Sequence, residues 1–244
     1  MLLNQKLAAS VKTEKSSMIS CSHAPCRALT LIVIGYAGRR TPPWLQVKSN
    51  QMKLSEKFEE ALIYATRAHG NQMRKKTGIP YIAHILGVTA IALEYGANET
   101  EAIAALLHDT VEDCGGTERL RDIREKFGDD VASIVDGCTD TCETPKPPWL
   151  ERKRNYIEHL KDSNSSTRLV SASDKLHNTR AILAELRRNG LEVFERFAGK
   201  KDGTIWYYRA IITAFRQHGD HADFIDELDR VVSEIEKFVR ECIS

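Results

Sequence analysis

The stretch EAIAALLHDTVED, residues 101–113, places four ionisable side chains directly behind an apolar helical run. The run ends at His108 and Asp109. Glu112 lies four residues after His108 and three after Asp109, so a continuous helix would return it to the same side one turn later. Ionisable groups that directly follow an apolar run typical of a protein core are costly to bury unless they are paired or bound to a metal. The plain alternative is a solvated helix end.

Helical periodicity extends from this stretch in both directions. Apolar residues recur at helical spacing from Leu54 to Ala68, Gly70 can end that helix, and no stretch alternates convincingly with period two. The basic, glycine-containing stretch 199–203 is predicted as a loop. Further helices are predicted at 81–95, 99–111, 118–127, 131–139, 149–160, 167–189, 205–215 and 221–242. The chain is therefore predicted to be all-α, with one helical domain.

The first 51 residues differ from the rest of the chain. They carry seven basic side chains and one acidic, so the remainder has 28 basic and 33 acidic, within a net charge of +1 over 244 residues. A mildly acidic body does not indicate a nucleic-acid surface. The apolar run 29–37 is too short to span a bilayer, although it can pass as the core of a signal peptide.

These features predict a domain organisation and a compartment. We expect residues 1–51 to be a disordered leader or an over-extended translation start, and residues 52–244 to form the domain. The six cysteines contain no C-x-x-C pair and no disulfide-dense pattern, which suits a reducing cytosol. A cytoplasmic protein without membrane or nucleic-acid partners is expected.

Histidines and carboxylates recur on three separate predicted helices. His84 lies in PYIAHILGV, His108 and Asp109 end the third helix, and Asp174 lies in SASDKLHN. Each has a plain structural explanation when taken alone, because a single histidine on an apolar helix is usually hydrogen-bonded within the core. Together they supply two imidazoles and two carboxylates, a mixed set that suits Mn²⁺, Fe²⁺ or Zn²⁺ better than Ca²⁺ or Mg²⁺.

Three motifs carry a family resemblance: RKKTGIPYIAH at 74–84, ALLHDTVED at 105–113 and SDKLHN at 173–178. From about Met52 to Phe215 the chain resembles the HD-domain hydrolases of the RelA/SpoT type, and most of all their stand-alone relatives, the small alarmone hydrolases. The resemblance implies an HD-domain bundle of about eight to ten helices that binds one Mn²⁺, with Fe²⁺ and Zn²⁺ as less favoured metals. It assigns the metal to His84, His108, Asp109 and Asp174, and the activation of water to Glu112 and Asp113.

The resemblance also implies a substrate and its contacts. Family members of this kind remove the 3′-pyrophosphate of guanosine 3′,5′-bis(diphosphate) (ppGpp) or its 5′-triphosphate form, leaving GDP or GTP and pyrophosphate. Arg74 and Lys75 would then pack on the purine and contact phosphate, and Asn178 would contact the nucleoside. Lys153 and Arg154 would face the pyrophosphate. Without the resemblance, the basic residues among them read as solvated charge runs on a loop and a helix face.

The chain departs from the family pattern at three places. Ile85 follows His84 where proline is common, and Ile79 stands where an acidic residue is common. Asp140 follows a threonine where many relatives have lysine, which bears on the phosphate contacts and on the preferred nucleotide.

Several hypotheses therefore remain open at the level of the sequence. The substrate is a guanosine or an adenosine 3′-pyrophosphate, or the chain is an HD phosphohydrolase of a 3′-phosphorylated cofactor or a nucleoside monophosphate. A non-catalytic nucleotide-binding module is the hypothesis from another class. The oligomeric state stays undetermined.

Overall fold

The computed structural model describes residues 53–143 and 145–242, and the structural statements below concern those residues. The predicted leader, residues 1–51, and its boundary with the domain lie outside them. Ten α-helices and one 3-10 helix make up the described fold: α1 Glu56–His69, α2 Ile82–Glu94, α3 Glu99–Leu107, α4 Thr110–Cys114, α5 Gly116–Phe127, α6 Asp129–Cys138, α7 Trp149–Asp162, α8 Ser165–Asn189, the 3-10 helix Gly190–Arg196, α9 Lys200–Arg216 and α10 Ala222–Glu241.

The prediction of an all-α fold is confirmed. Within the described residues, the one feature of extended pairing outside the helices is an isolated antiparallel bridge between Met73 and Pro80. Charged residues are interleaved along the longer helices, and no helix in the described part of the chain qualifies as a membrane span.

Capping residues fix the ends of the early helices close to their predicted places. Ser55 accepts a hydrogen bond from the Lys57 amide at the start of α1, and Gly70 ends that helix with a φ of 47°. Asn98 and Glu101 form a capping box at the start of α3, in which each side chain accepts from the other residue's backbone amide. These bonds satisfy amides that a helix leaves free in its first turn. The start of α3 is thereby set, and with it the position of the run that ends at His108.

Helix α8 is the central element of the domain and packs against α2, α3, α6 and α10. Every residue from Thr167 to Leu176 is buried, including the charged Arg168, Asp174 and Lys175. Burying a charge is costly unless it is paired. Arg168 pairs with Asp220, and Lys175 pairs with Asp174. The buried Asp174–Lys175 ion pair occupies a position where apolar side chains are usual. The middle of α8 is therefore a candidate location for a functional site.

The prediction of one continuous helix over 99–111 is wrong. Helix α3 ends at Leu107, and α4 begins at Thr110. The ring of His108 donates from Nδ1 to the carbonyl of Ala105, and the Thr110 hydroxyl donates to the carbonyl of Leu107. Side chains that take carbonyls in this way compete with the backbone ladder of a helix. The break turns His108 and Asp109 into the interior instead of continuing the helix surface.

The prediction of a loop over 199–203 is also wrong, because α9 begins at Lys200 and runs through Gly203. The glycines stand there for a steric reason. A Cβ at Gly199 would lie 2.5 Å from Cη2 of Trp149, and one at Gly203 would lie 3.1 Å from the same atom. The indole of Trp149 therefore packs directly on the first turn of α9. The local sequence pattern does not show this contact, because Trp149 lies about fifty residues away from it.

Candidate active site

The structure brings the four predicted metal ligands to one point. His84 comes from the first turn of α2, His108 and Asp109 come from the break between α3 and α4, and Asp174 comes from the middle of α8. The side chain of His84 is 2% exposed and that of His108 is 3% exposed. The ligand atoms of His84, His108 and Asp109 all lie within 4.8 Å of one another.

Asp174, on α8, completes the cluster. His84 Nε2 lies 3.3 Å from both Asp109 Oδ2 and Asp174 Oδ1. His108 Nε2 lies 3.1 Å from Asp109 Oδ2 and 3.9 Å from Asp174 Oδ1. Two imidazole nitrogens and two carboxylate oxygens thus face a common centre. We refer to these four residues as the His-Asp cluster.

The hydrogen bonds of His108 show that the cluster fits a divalent metal. Its Nδ1 lies 2.8 Å from the Ala105 carbonyl, which only accepts, so Nδ1 carries the proton. In the neutral ring Nε2 then keeps its lone pair, and it is a buried atom without a hydrogen-bond partner among the described residues. A backbone carbonyl that fixes the tautomer of a histidine is a common outer partner of a metal ligand. The orphaned nitrogen and the two carboxylates are the donor set that a metal would satisfy.

The electrostatics of the His-Asp cluster favour a positive charge at its centre. Burial opposes the charged form of His108, but the carboxylates of Asp109 and Asp174 outweigh it and raise the pKa of His108 to about 9. Burial alone would raise the pKa of Asp109, whereas His108 and His84 hold it well below its usual value. A proton and a metal ion compete for such a site, because a histidine must lose its proton to bind the metal.

Neighbouring side chains fix both carboxylates of the cluster. The Tyr81 hydroxyl donates to Asp109 Oδ2 over 2.7 Å. Lys175 Nζ donates to Asp174 Oδ2 over 2.6 Å, and Asn178 Nδ2 donates to Asp174 Oδ1 over 2.5 Å. Burial and the nearby Asp109 carboxylate raise the pKa of Tyr81, so that its hydroxyl remains a donor across the physiological range.

Two adjoining cavities of about 350 and 270 Å³ open beside the His-Asp cluster. Their walls share several basic residues, which is the composition expected for binding an anion. The smaller cavity reaches His84 and Asp109, while the larger extends away from the cluster towards Trp149 and Arg196. Both are lined by Arg74, Lys75, Glu112, Asp140, Lys153, Asp174, Lys175, Asn178 and Tyr207.

Four of the five predicted substrate contacts line these cavities. Arg74 Nη2 donates to Asn178 Oδ1 over 2.7 Å, so these two residues form one unit. Lys75 lies beside them. Lys153 Nζ donates to Asp140 Oδ2 over 3.0 Å and lies 4.9 Å from the ring centroid of Tyr207. Arg154, by contrast, is exposed on α7 and does not line either cavity.

The adjacent carboxylates Glu112 and Asp113 occupy different surroundings. Glu112 lines both cavities and accepts a hydrogen bond of 2.7 Å from Lys146 Nζ. Burial raises its pKa, while the hydrogen bond from Lys146 acts in the opposite direction. Asp113 is exposed and accepts a hydrogen bond of 2.9 Å from Gln72 Nε2. Glu112 is therefore the better placed of the two to take a proton in the cavity.

Several residues of the site have no distinguishing pattern in the sequence. Tyr81, Lys175 and His177 stand inside the quoted motifs, and their position next to predicted ligands is the one available signal. Arg152 and Arg196 also line the larger cavity, each paired with an acidic partner, Asp140 and Glu185 respectively. No local sequence pattern identifies these two arginines, because the cavity that they line is formed by segments far apart in the sequence.

Comparison with known proteins finds a family pattern and named relatives for this chain. The sequence pattern of the family described as HD domain matches residues 61–205. The chain is similar to guanosine-3′,5′-bis(diphosphate) 3′-pyrophosphohydrolase MESH1 of Xenopus tropicalis, with 44% identity over 128 residues that cover 50% of this chain and 68% of the relative. The human protein of the same name is 42% identical over 127 residues, again covering 50% of this chain and 68% of the relative.

A solved structure extends the similarity to the fold. It is described as a metazoan ortholog of SpoT that hydrolyses ppGpp and plays a role in starvation responses. The two structures superpose with a TM-score of 0.63 at 30% identity, over 75% of this chain and 97% of the other.

Proposed function

The chain belongs to the HD-domain family, and on that premise we propose that it hydrolyses the 3′-pyrophosphate of ppGpp and of its 5′-triphosphate form. The products are GDP or GTP and pyrophosphate. Relatives that share more than 40% of their residues with this chain over the matched region bear the name of this activity. The substrate class thus follows from the family, and the residues of this chain that would bind the metal and the substrate are described below.

The observation that carries the proposal is the convergence of His84, His108, Asp109 and Asp174 beside a basic cavity. These four residues would hold one divalent metal. Such an ion lowers the pKa of a bound water and polarises a phosphoryl oxygen. The basic cavity next to it suits the diphosphate groups of the substrate.

The reaction requires one bond to form and one to break. The oxygen of a water molecule bonds to the phosphorus attached at the 3′ position, and the bond from that phosphorus to the ribose 3′ oxygen breaks. One proton leaves the attacking water, and the ribose 3′ oxygen gains one as it becomes a hydroxyl. Glu112 accepts the proton from water, since its raised pKa makes it a stronger base than an ordinary glutamate. Asp113, which is adjacent to Glu112 and accepts a hydrogen bond from Gln72, would help to position the water.

Positive side chains offset the charge that develops on the pyrophosphate. Lys153 and Lys175 both line the cavity beside Asp174, and their amines face a partly enclosed site where charge interactions are stronger than in water. Arg74 is held by Asn178 with its guanidinium on the cavity wall, and a planar guanidinium stacks well on a purine. The fixed arginine would thereby orient the nucleoside.

Further parts of the proposal concern the metal and the setting. We propose Mn²⁺ as the metal, because a mixed nitrogen and oxygen set favours it over Mg²⁺ or Ca²⁺. We also propose that residues 52–244 form the catalytic domain and that the enzyme acts in the cytoplasm. Lys153 remains a proposed pyrophosphate contact, whereas Arg154 has no support from its position.

The test is hydrolysis of ppGpp by the purified full-length chain with Mn²⁺, with products separated by anion-exchange chromatography. We expect GDP and pyrophosphate in equal amounts, lost on addition of a chelator and restored by Mn²⁺. The Glu112→Gln variant should bind Mn²⁺ but hydrolyse ppGpp far more slowly. Bound Mn²⁺ with no turnover of ppGpp by the unsubstituted chain would reject the substrate, and a screen of 3′-phosphorylated nucleotides would then find the correct one.

A further inference from the structure

His177 lies on α8 between Asp174 and Asn178, and its ring is inserted against α2. The ring occupies space that only a glycine leaves open. A Cβ on Gly87 would lie 2.3 Å from Cδ2 and 2.4 Å from Nε2 of His177. Real Cβ atoms do not approach other heavy atoms so closely, so the contact between the two helices is built around this ring.

The ring of His177 connects a cluster histidine with a cavity arginine. Its Nδ1 lies 2.9 Å from Nδ1 of His84 and 3.5 Å from Nη1 of Arg74. An arginine nitrogen only donates, so His177 Nδ1 acts as an acceptor towards Arg74. The shared proton of the histidine pair then belongs to His84 Nδ1, which donates it to His177. In the neutral ring this leaves His84 Nε2 without a proton, and Nε2 is the atom that faces Asp109 and Asp174.

The geometry points to His177 as a positioning residue that fixes His84 in the tautomer required for metal binding. His177 accepts the Nδ1 proton of His84, just as the Ala105 carbonyl accepts the Nδ1 proton of His108. The two histidines therefore use different outer partners, one from the backbone and one from a side chain. Because His177 also contacts Arg74, and Arg74 bonds to Asn178, a disturbance of the ring is transmitted to the wall of the substrate cavity.

The first test compares two substitutions at the same position. His177→Leu fills the space but accepts no hydrogen bond, whereas the side-chain oxygen of His177→Asn can accept one from His84. We expect His177→Leu to weaken Mn²⁺ binding by about 10- to 100-fold, the usual effect of losing an outer partner of a metal ligand. His177→Asn should stay within a few-fold of the unsubstituted chain. Binding is measured on the full chain from the electron paramagnetic resonance signal of free Mn²⁺, with the exposed His159→Leu on α7 as control.

A second variant approaches the ring from the other helix. Gly87→Ala leaves every polar group in place but forces the His177 ring to move. It should weaken Mn²⁺ binding in the unsubstituted chain and add nothing in a His177→Ala background, where the space is free. Such non-additivity identifies two residues that act through one contact. Equal losses from Gly87→Ala in both backgrounds would overturn the inference.

A third measurement observes the proton directly. Nitrogen-15 spectra of the histidine rings, recorded on the protein loaded with diamagnetic Zn²⁺, should show His84 protonated at Nδ1. Protonation of His177 at Nδ1 in that spectrum, or unchanged Mn²⁺ affinity in a folded His177→Leu variant, would contradict the assignment. The inference rests on the metal site within the proposed function. Its readouts are metal affinity and protonation, so a failure to hydrolyse ppGpp would leave them unaffected.

Discussion

The His-Asp cluster and the basic wall of the cavity are neighbours built on opposite principles. In the cluster, His84 and His108 are almost fully buried, and each ring is held at Nδ1 by a partner that substrate does not replace. On the wall, Lys153 is more exposed and is paired with Asp140, a carboxylate within the same cavity. Incoming phosphate groups can therefore compete with Asp140 for Lys153 without rearranging the core.

The contrast teaches how one site serves two needs. A metal ligand set must be rigid, because a displaced ligand loses affinity directly. Cationic side chains that bind a large anion and then release it benefit from an acidic partner within the protein. That partner neutralises their charge when no substrate is bound. The following predictions test this division, beginning with the effect that should be largest.

Removal of a cluster histidine should abolish the metal site. His108→Ala deletes the buried Nε2 and also the bond to the Ala105 carbonyl. We expect Mn²⁺ affinity to fall by more than about 100-fold, which exceeds the effect of losing an outer partner, and hydrolysis to fall with it. Calorimetric titration with Mn²⁺ measures the affinity, and the exposed His218→Ala serves as control. An unchanged affinity in His108→Ala would exclude this residue as a ligand.

Substitution of the two adjacent carboxylates should separate their roles. Glu112→Gln should lower kcat by about 10²- to 10⁴-fold, the usual contribution of a general base, while Mn²⁺ binding persists. Asp113→Asn should have a smaller effect, because Asp113 is exposed and its asparagine replacement still accepts from Gln72. Steady-state kinetics with quantified metal content makes the comparison. A larger loss in Asp113→Asn would show that the water lies on its side of α4.

Two neighbouring cations on α7 should differ in their effect on substrate binding. Lys153→Ala removes a charged donor from the cavity, and we expect KM to rise by about ten- to a hundredfold, the worth of a hydrogen bond to a charged group. Arg154→Ala should leave KM unchanged, because Arg154 is exposed on another face of the helix. Initial rates over a range of ppGpp concentrations measure both. Equal increases would mean that substrate reaches the outer face of α7.

The smallest expected effect is a shift of the pH profile. Lys146 donates to Glu112 and favours its ionised form, so removing that amine raises the pKa of Glu112 further. In Lys146→Gln the acid limb of kcat/KM should therefore move to higher pH. The shift should be a fraction of a pH unit, because an exposed ion pair is screened by solvent. Lys146→Arg keeps the charge and should keep the limb in place. A limb that does not move in Lys146→Gln would indicate that another group titrates.

Much of the fold can be read from local pattern. Apolar spacing before Gly70 predicts α1, and the predicted bounds of α2 and the predicted start of α3 agree with the structure to within one residue. Such features depend on residues three or four apart, which the sequence displays directly. The break after Leu107 is different, since it arises from two side chains that capture backbone carbonyls. Those residues are compatible with a continuous helix when read alone.

The candidate site likewise has residues that the sequence identifies and residues that only the packing of the helices distinguishes. The three motifs contain every residue of the His-Asp cluster, with His84 in the first, His108 and Asp109 in the second and Asp174 in the third. The sequence also suggests Arg74 and Asn178 through the family resemblance, although these residues are 104 positions apart. What the sequence does not separate is Lys153 from Arg154, or Glu112 from Asp113. Neighbours in sequence point about 100° apart on a helix, and only the packing of that helix decides which one faces the cavity.

The sequence by itself determined the helical class and supplied the candidate ligands with the chemistry they favour, since these follow from residue identity and short-range spacing. Tertiary structure alone decided which atoms meet. The seating of Trp149 on Gly199 and Gly203, and of the His177 ring against Gly87, requires helices distant in sequence to approach within van der Waals contact. The proton of His84 belongs to the same category, because its position depends on a partner 93 residues away. Long-range packing fixes such contacts, and no local pattern encodes them.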